Sequence, residues 1–240
     1  MNVPIYITLL FFIIIALIVF GIFYTLNYAF IKAEYSSKSK LISFVSIAVL
    51  LGGWMSVSAA VGIKGFLLDF QTLPPRVLVI IVPTALAISY ISISERVNSI
   101  LKLIPKSWLI NAQSFRILVE IFLWLMYRSG VLPVQMTFEG RNFDILIGLS
   151  APLISYFYFT KKSWPKITAL LWNLAGLLLL TNILVIAILS TPGPMRKFFN
   201  EPSNTMIAYF PYIWLPALIV PFAYLLHILS IKQIMKFDED

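Results

Sequence analysis

Gln113-Ser-Phe-Arg116-Ile-Leu-Val-Glu120 places a cation and a carboxylate one helical turn apart inside an otherwise apolar run, 107–127. On an α-helix, residues three, four and seven apart share a face. At about 100° per residue, Gln113, Arg116, Glu120 and Tyr127 therefore fall within roughly a 60° arc. With a rise of about 1.5 Å per residue, Arg116 and Glu120 sit roughly 14 and 20 Å beyond Ser107, within a hydrocarbon core about 30 Å thick. Charges at that depth are costly unless they are paired and turned inward. The stretch predicts a membrane helix with one polar face, jacketed by apolar neighbours.

Composition agrees. Of 240 residues, 60% are hydrophobic and only 12% charged, about half the charge of a soluble domain, and the mean hydropathy is +0.92. Cysteine is absent, which removes disulfides, thiolate metal sites and cysteine nucleophiles. A single histidine rules out a multi-histidine metal or haem site within one chain. The net charge of +8 belongs to basic residues flanking membrane helices rather than to a nucleic-acid partner, because no soluble stretch is long enough to fold as a binding module. Walker, dinucleotide and HExxH motifs are missing, and no lysine stands mid-way along the last apolar segment for a retinal Schiff base. No metal or cofactor is expected.

Seven apolar segments, 4–30, 41–63, 77–94, 107–127, 143–160, 167–190 and 206–231, each approach the roughly 20 residues needed to cross a bilayer. They predict an all-α integral membrane protein, a single-domain bundle of seven transmembrane helices. Basic residues number eleven in the connections after the first, third and fifth segments plus the C-terminal tail, against six on the other side. That bias puts the N-terminus outside and the C-terminus in the cytoplasm. Gly52, Ser56 and Ala60 form a small-residue ridge that would let another helix approach closely. Pro211, Pro216 and Pro221 should kink or unwind the seventh segment, with Ser203–Thr205 as candidate caps before it. Glu95 to Lys106 reads either as a short interfacial helix or as an extension of the third segment. Ile81-Val-Pro-Thr-Ala and Ile219-Val-Pro-Phe-Ala match at four of five positions, which reads either as a parallel three-plus-one-plus-three duplication or as two apolar helices that each carry a proline at a kink.

The candidate site residues follow from the cost of burying polarity in lipid. Gln113, Arg116 and Glu120 form either an internal pair that fixes register or a substrate and proton site, in which Arg116 binds an anion or Glu120 exchanges a proton. His227, with Tyr224 on its face, is either hydrogen-bonded internally or a proton acceptor. Asn173 and Asn182 are polar interruptions of a very apolar run, nine residues apart and so unable to meet the same partner. Glu139, Arg141 and Asp144 precede the fifth segment and could rim a pore mouth; Asp144 could instead lie in the first helical turn, where the dipole favours a carboxylate.

Gln113-x-x-Arg116, Asp144-Ile-Leu-Ile-Gly-Leu-Ser-Ala-Pro152, Trp172-Asn-Leu-Ala-Gly176, Ser190-Thr-Pro-Gly-Pro194 and Val220-Pro-Phe-Ala-Tyr-Leu-Leu-His227 together resemble a widespread group of bacterial multi-span proteins of unknown function. The resemblance covers Gln113 to Ser230. It implies a bacterial inner-membrane protein and carries over no catalytic or binding residue. The layout is also similar to that of the small sugar facilitators called SWEETs, whose Pro-Gln pairs are missing here, so that likeness is one of topology. The leading expectation is a small-solute or ion transporter or channel with a buried polar site on the fourth helix. A membrane interaction or sensory subunit, and a lipid-modifying enzyme using Glu120 or His227, are the alternatives. The expected partners are the bilayer, a second copy of the chain or a membrane subunit.

Overall fold

In the computed structural model, which describes residues 2–237, the chain is all-helical, with no strand among the described residues. Helix α1 (Ile5–Lys32) starts after Pro4 and ends where Glu34 takes a left-handed turn, φ 54°. Helix α2 (Ser37–Ile63) is capped by the Ser36 hydroxyl, which accepts the Ser39 N–H at 3.2 Å. Helix α3 (Leu78–Ile93) contains Pro83; the Thr84 hydroxyl next to it donates to the carbonyls of Ile80 and Ile81. A 66° bend at Ser94 separates it from α4 (Glu95–Leu101). Glu95 onward is therefore a separate short helix, not a continuation of α3. Helices α5 (Lys106–Ala112) and α6 (Phe115–Arg128) are two parts of one apolar run, interrupted at Gln113-Ser114. Helix α7 (Ile145–Ser155) widens into a π-helical turn over Tyr156–Thr160, and α8 (Lys166–Leu189) is continuous.

The last segment departs most from its expected bounds. Residues 206–214 are a short 3₁₀ turn and irregular chain, and the membrane-length helix begins at Leu215 with a π-helical turn before α9 (Val220–Phe237). Pro211 and Pro216 deprive this region of two N–H donors, so the α-helix starts later than 206; Ser203–Thr205 do not cap it, and Asn204 instead donates to the Ala187 and Ser190 carbonyls at the end of α8. Pro221 likewise cannot donate to the carbonyl of Ala217. The Trp54 indole takes that carbonyl instead, at 2.9 Å, tying α2 to this helix.

Among the described residues, five helical runs are long and apolar enough to cross a membrane: Ile5–Lys32, Ser37–Ile63, Lys106–Arg128, Lys166–Leu189 and Leu215–Phe237. The bent α3–α4 pair makes a sixth if counted as one span, and Ile145–Thr160 is a shorter apolar helix.

The centre is a pair of runs rather than one helix. The α5–α6 run packs against α1, α7 and α9, while α9 also carries α3 and α8. Helix α1 seats Ile7, Phe11, Ile14 and Ile18 on Phe122 and Met126, with the Phe11 and Phe122 rings 4.8 Å apart. Helix α2 lies at the edge. Its inward residues are Trp54, Ser58 and Gly62, so Gly52, Ser56 and Ala60, roughly 200° around the helix, are exposed. The expected close approach at that ridge does not occur within the chain, because the Trp54 bond to Ala217 fixes the opposite face inward.

Two sets of contacts close the ends. At one, Gln135 donates to the Ser190 hydroxyl (2.9 Å) and accepts from Asn200 (2.8 Å), joining the connections before α7 and after α8. At the other, Gln233 donates to the carbonyls of Leu101 and Ile104 (2.8 and 2.7 Å), which the end of α4 leaves without helical partners.

Candidate functional site

A buried chain of polar side chains links α6, α7, α8 and α9. Arg116 is 2% exposed; its Nη2 pairs with the Asp144 carboxylate at the start of α7, and its Nη1 lies 3.0 Å from His227 Nε2. A guanidinium only donates, so Nε2 accepts and the His227 proton sits on Nδ1, which donates to Asn173 Oδ1 at 2.9 Å. Asn173 Nδ2 in turn donates to the Ser230 hydroxyl (3.1 Å) and the Ala169 carbonyl (2.8 Å). The fork of the arginine suits such a junction, since it serves two partners in one plane.

Two glycines make this geometry possible. A Cβ on Gly176 would lie 2.2 Å from the His227 ring, so only glycine lets α8 pass the imidazole. A Cβ on Gly148 would meet Ile117 at 2.8 Å on its side chain and 3.0 Å on its backbone nitrogen. Gly148 is one turn beyond Asp144, and this close approach brings the carboxylate to Arg116.

Glu120 does not share the arginine. It is also 2% exposed, and its Oε1 accepts from Asn142 Nδ2 at 2.7 Å. Asn142 bridges onward, donating to the Met136 carbonyl and accepting the Asp144 N–H at 3.2 Å. The other carboxylate oxygen of Glu120, Oε2, has no hydrogen-bond partner. Gln113 spends its amide on the Ala223 carbonyl (3.1 Å), a tie between the α5–α6 break and α9.

Glu120 and Asp144 line the buried end of a cavity of about 390 Å³ between α3, α6, α8 and α9. Tyr224 stands beside them, its hydroxyl 3.0 Å from that of Thr181. The walls are otherwise largely apolar, with Thr84 on the α3 side, and Asp69 and Arg76 form an ion pair at 2.5 Å at the exposed end. Arg116 does not line it.

Gln113, Arg116, Glu120, Asn173 and His227 are thus brought together, and Asp144 joins them as a buried partner rather than an outer-rim group. The buried guanidinium draws its carboxylate away from the helix end, so it makes no capping bond. Asn182 lies elsewhere, exposed and donating to the Arg141 carbonyl at 2.9 Å. Glu139 is exposed and accepts from the Trp124 indole (2.7 Å), while Arg141 lies over the Phe198 ring; neither joins Asp144 in a pore mouth. Asn142 and Ser230 were not singled out as site residues from sequence. The Asn-x-Asp spacing ahead of an apolar helix was the available signal for Asn142. Among the described residues no group of three His, Cys, Asp or Glu side chains is placed to hold a metal ion.

Residues 73–235 match the family described as Domain of unknown function (DUF8737), and the chain belongs to that family. Every residue of the polar chain and of the Glu120 pair falls inside the match; α1 and α2 fall outside it. No curated protein and no solved structure matches the chain.

Proposed function

We propose that this protein is a small-solute transporter of the bacterial inner membrane, and that its solute binds in the cavity ending on Glu120 and Asp144. The observation that carries the reading is a cavity of about 390 Å³ with a buried carboxylate oxygen, Glu120 Oε2, left without a partner at its end. Its size falls in the range of about 300–1,000 Å³ of small-molecule sites, and apolar walls with a few convergent polar groups are their common chemistry. Arg116, by contrast, is taken up by Asp144 and His227, which argues against its serving as an anion clamp. His227 has both ring nitrogens engaged and is not available as an acid or base, which weighs against the lipid-modifying enzyme.

In this reading the chain crosses the bilayer seven times. The bent α3–α4 pair is the third crossing, and the 16-residue Ile145–Thr160 helix the fifth, which thins the bilayer locally or is lengthened by its flanking chain. The basic bias places the N-terminus outside. The mouth at Asp69 and Arg76 then opens outward. The matching pentapeptides of α3 and α9, helices that pack on each other, are what supports a parallel duplication.

Counterflow of a panel of small organic solutes in proteoliposomes tests the proposal. Uptake should be lost with Ala85→Trp, which fills the cavity from α3, and altered with Glu120→Gln. Solute uptake indifferent to both substitutions would reject the site. A second reading, a subunit of a membrane complex, draws on the exposed face of α2. Co-purification of a stoichiometric partner in mild detergent, lost on Ser56→Phe, would favour it.

A further inference from the structure

We infer that the molecule this cavity takes is an amphiphilic monocation, with an ammonium head and an apolar body. The inference rests on the transport reading of the same cavity and names its class of cargo.

Charge decides the head group. At the buried end three charge-bearing side chains meet: Arg116, Asp144 and Glu120. Arg116 and Asp144 cancel as a bonded pair, and the Asn142 amide that holds Glu120 is neutral. On the packed helices, His227 accepts from Arg116 and contributes no positive charge in that arrangement. Tyr224 beside the cavity carries a phenol hydroxyl that meets Thr181 and no cation, and the Lys232 ammonium, which does not line the cavity, donates to the Ser92 carbonyl. At the exposed end Asp69 and Arg76 also cancel. One carboxylate is left over: Glu120 lines the buried end of the apolar cavity, and its Oε2, packed away from solvent, has no hydrogen-bond partner. A buried carboxylate there is tolerated only when a cation or a proton meets it. An ammonium at the buried end of the cavity supplies that charge to the Glu120 carboxylate; a carboxylate or phosphate head would add repulsion.

Shape decides the body. From Glu120 the cavity runs between Ile81, Ile88, Ile183 and Ile188, with no further cation or anion until Asp69 and Arg76. These walls match an alkyl or aryl body, and each methylene transferred from water gains about 0.8 kcal/mol. Ala85 and Ser89 line the cavity and are also exposed on α3, so the body has an opening along that helix.

The test uses the full chain in lipid nanodiscs, with empty nanodiscs as the reference. Octylammonium, octanol and octanoate are titrated by calorimetry. Octylammonium is expected to bind at least tenfold more tightly than octanol, with octanoate weakest. In Glu120→Gln, octylammonium should bind no more tightly than octanol does in the same variant. Equal binding of the three probes to the wild type, or an unchanged preference in Glu120→Gln, would overturn the inference. The wild-type head-group series stands alone should the variant fail to purify. Nanodiscs of phosphatidylethanolamine separate two sources of the ammonium. Competition would assign the ammonium to a zwitterionic lipid and overturn the monocation; unchanged affinity assigns it to a free amphiphile. Loss of the head-group preference leaves the transport reading standing, because that is judged by the effect of Ala85→Trp on uptake.

Discussion

The α1–α2 region and the body built from α5 to α9 are both apolar, yet they are held together by different physics. Helix α1 meets its neighbours mainly through Ile7, Phe11, Ile14 and Ile18, and α2 is exposed along much of its length. The body is threaded by Asp144, Arg116, His227, Asn173 and Ser230, each partnered to the next. Lipid tails are as apolar as leucine, so apolar contacts alone discriminate poorly between one helix register and another in a bilayer. A buried hydrogen-bond chain does discriminate, because a slip of one residue strands several polar groups at once. The cavity lies between this body and α3, and the family match spans both α3 and the body while excluding α1 and α2.

The largest way to break the contrast is to open the ion pair. Arg116→Ala leaves the Asp144 carboxylate buried without its cation and should cost about 3–5 kcal/mol, as removal of one member of a buried pair does. Thermal melting in detergent should register a large loss. The double change Arg116→Met with Asp144→Leu should recover much of it, since a neutral apolar pair carries no stranded charge. Leu50→Ala on the exposed face of α2 is the control and should move stability by less than about 0.5 kcal/mol. Equal losses at Arg116 and Leu50 would erase the distinction.

A smaller effect sharpens it. Gly176→Ala drives a methyl into the His227 ring and should cost about 1–3 kcal/mol. In a His227→Ala background the same change should cost much less, which a double-mutant cycle would read as coupling. Additive costs would mean that the ring and the glycine do not constrain one another.

These partnerships explain what could be read in advance. The burial of Arg116 and Glu120 was legible from their placement in an apolar helix, because lipid forbids the alternative. Their partners were not. Asp144 and Asn142 come from a connection more than twenty residues away, and helical periodicity says nothing about where a connection folds. Asp144 accordingly looked like a rim or first-turn carboxylate. His227 and Asn173 were visible as isolated polar residues, but the link between them depends on Gly176 letting α8 pass the ring. The late start of the last helix was only half legible. Three prolines announced a disruption, whereas its form, a π-helical turn whose carbonyl is taken by Trp54, depends on a distant side chain.

The smallest expected effect concerns the exposed end of the cavity. The Asp69 carboxylate accepts from the Thr72 hydroxyl and the Gln71 N–H and faces Arg76; together these hold it below the usual carboxylate range, Thr72 contributing most. Because the folded form favours the charged carboxylate, this contribution is present above the unfolded value near about 4 and is lost as pH falls through the lower folded value. Amide protection across 64–77, taken relative to the intrinsic exchange rate at each pH, should be steady from about pH 7 to 5 and fall below about 4. Unchanged protection at about pH 3 would show that Asp69 does not hold this connection. The pair is exposed, so salt should weaken the effect.

The most direct test of the central claim uses the absence of native cysteine. Thr84, 8% exposed, lines the cavity, whereas Ser58, also buried at 0%, lies on α2 away from it. Thr84→Cys and Ser58→Cys are compared in right-side-out proteoliposomes with a small, membrane-impermeant methanethiosulfonate. Thr84→Cys is expected to react, octylammonium to slow the reaction, and Ser58→Cys to stay unlabelled. An inert Thr84→Cys beside an inert Ser58→Cys would mean that the cavity is sealed packing and contradict its role as a solute site.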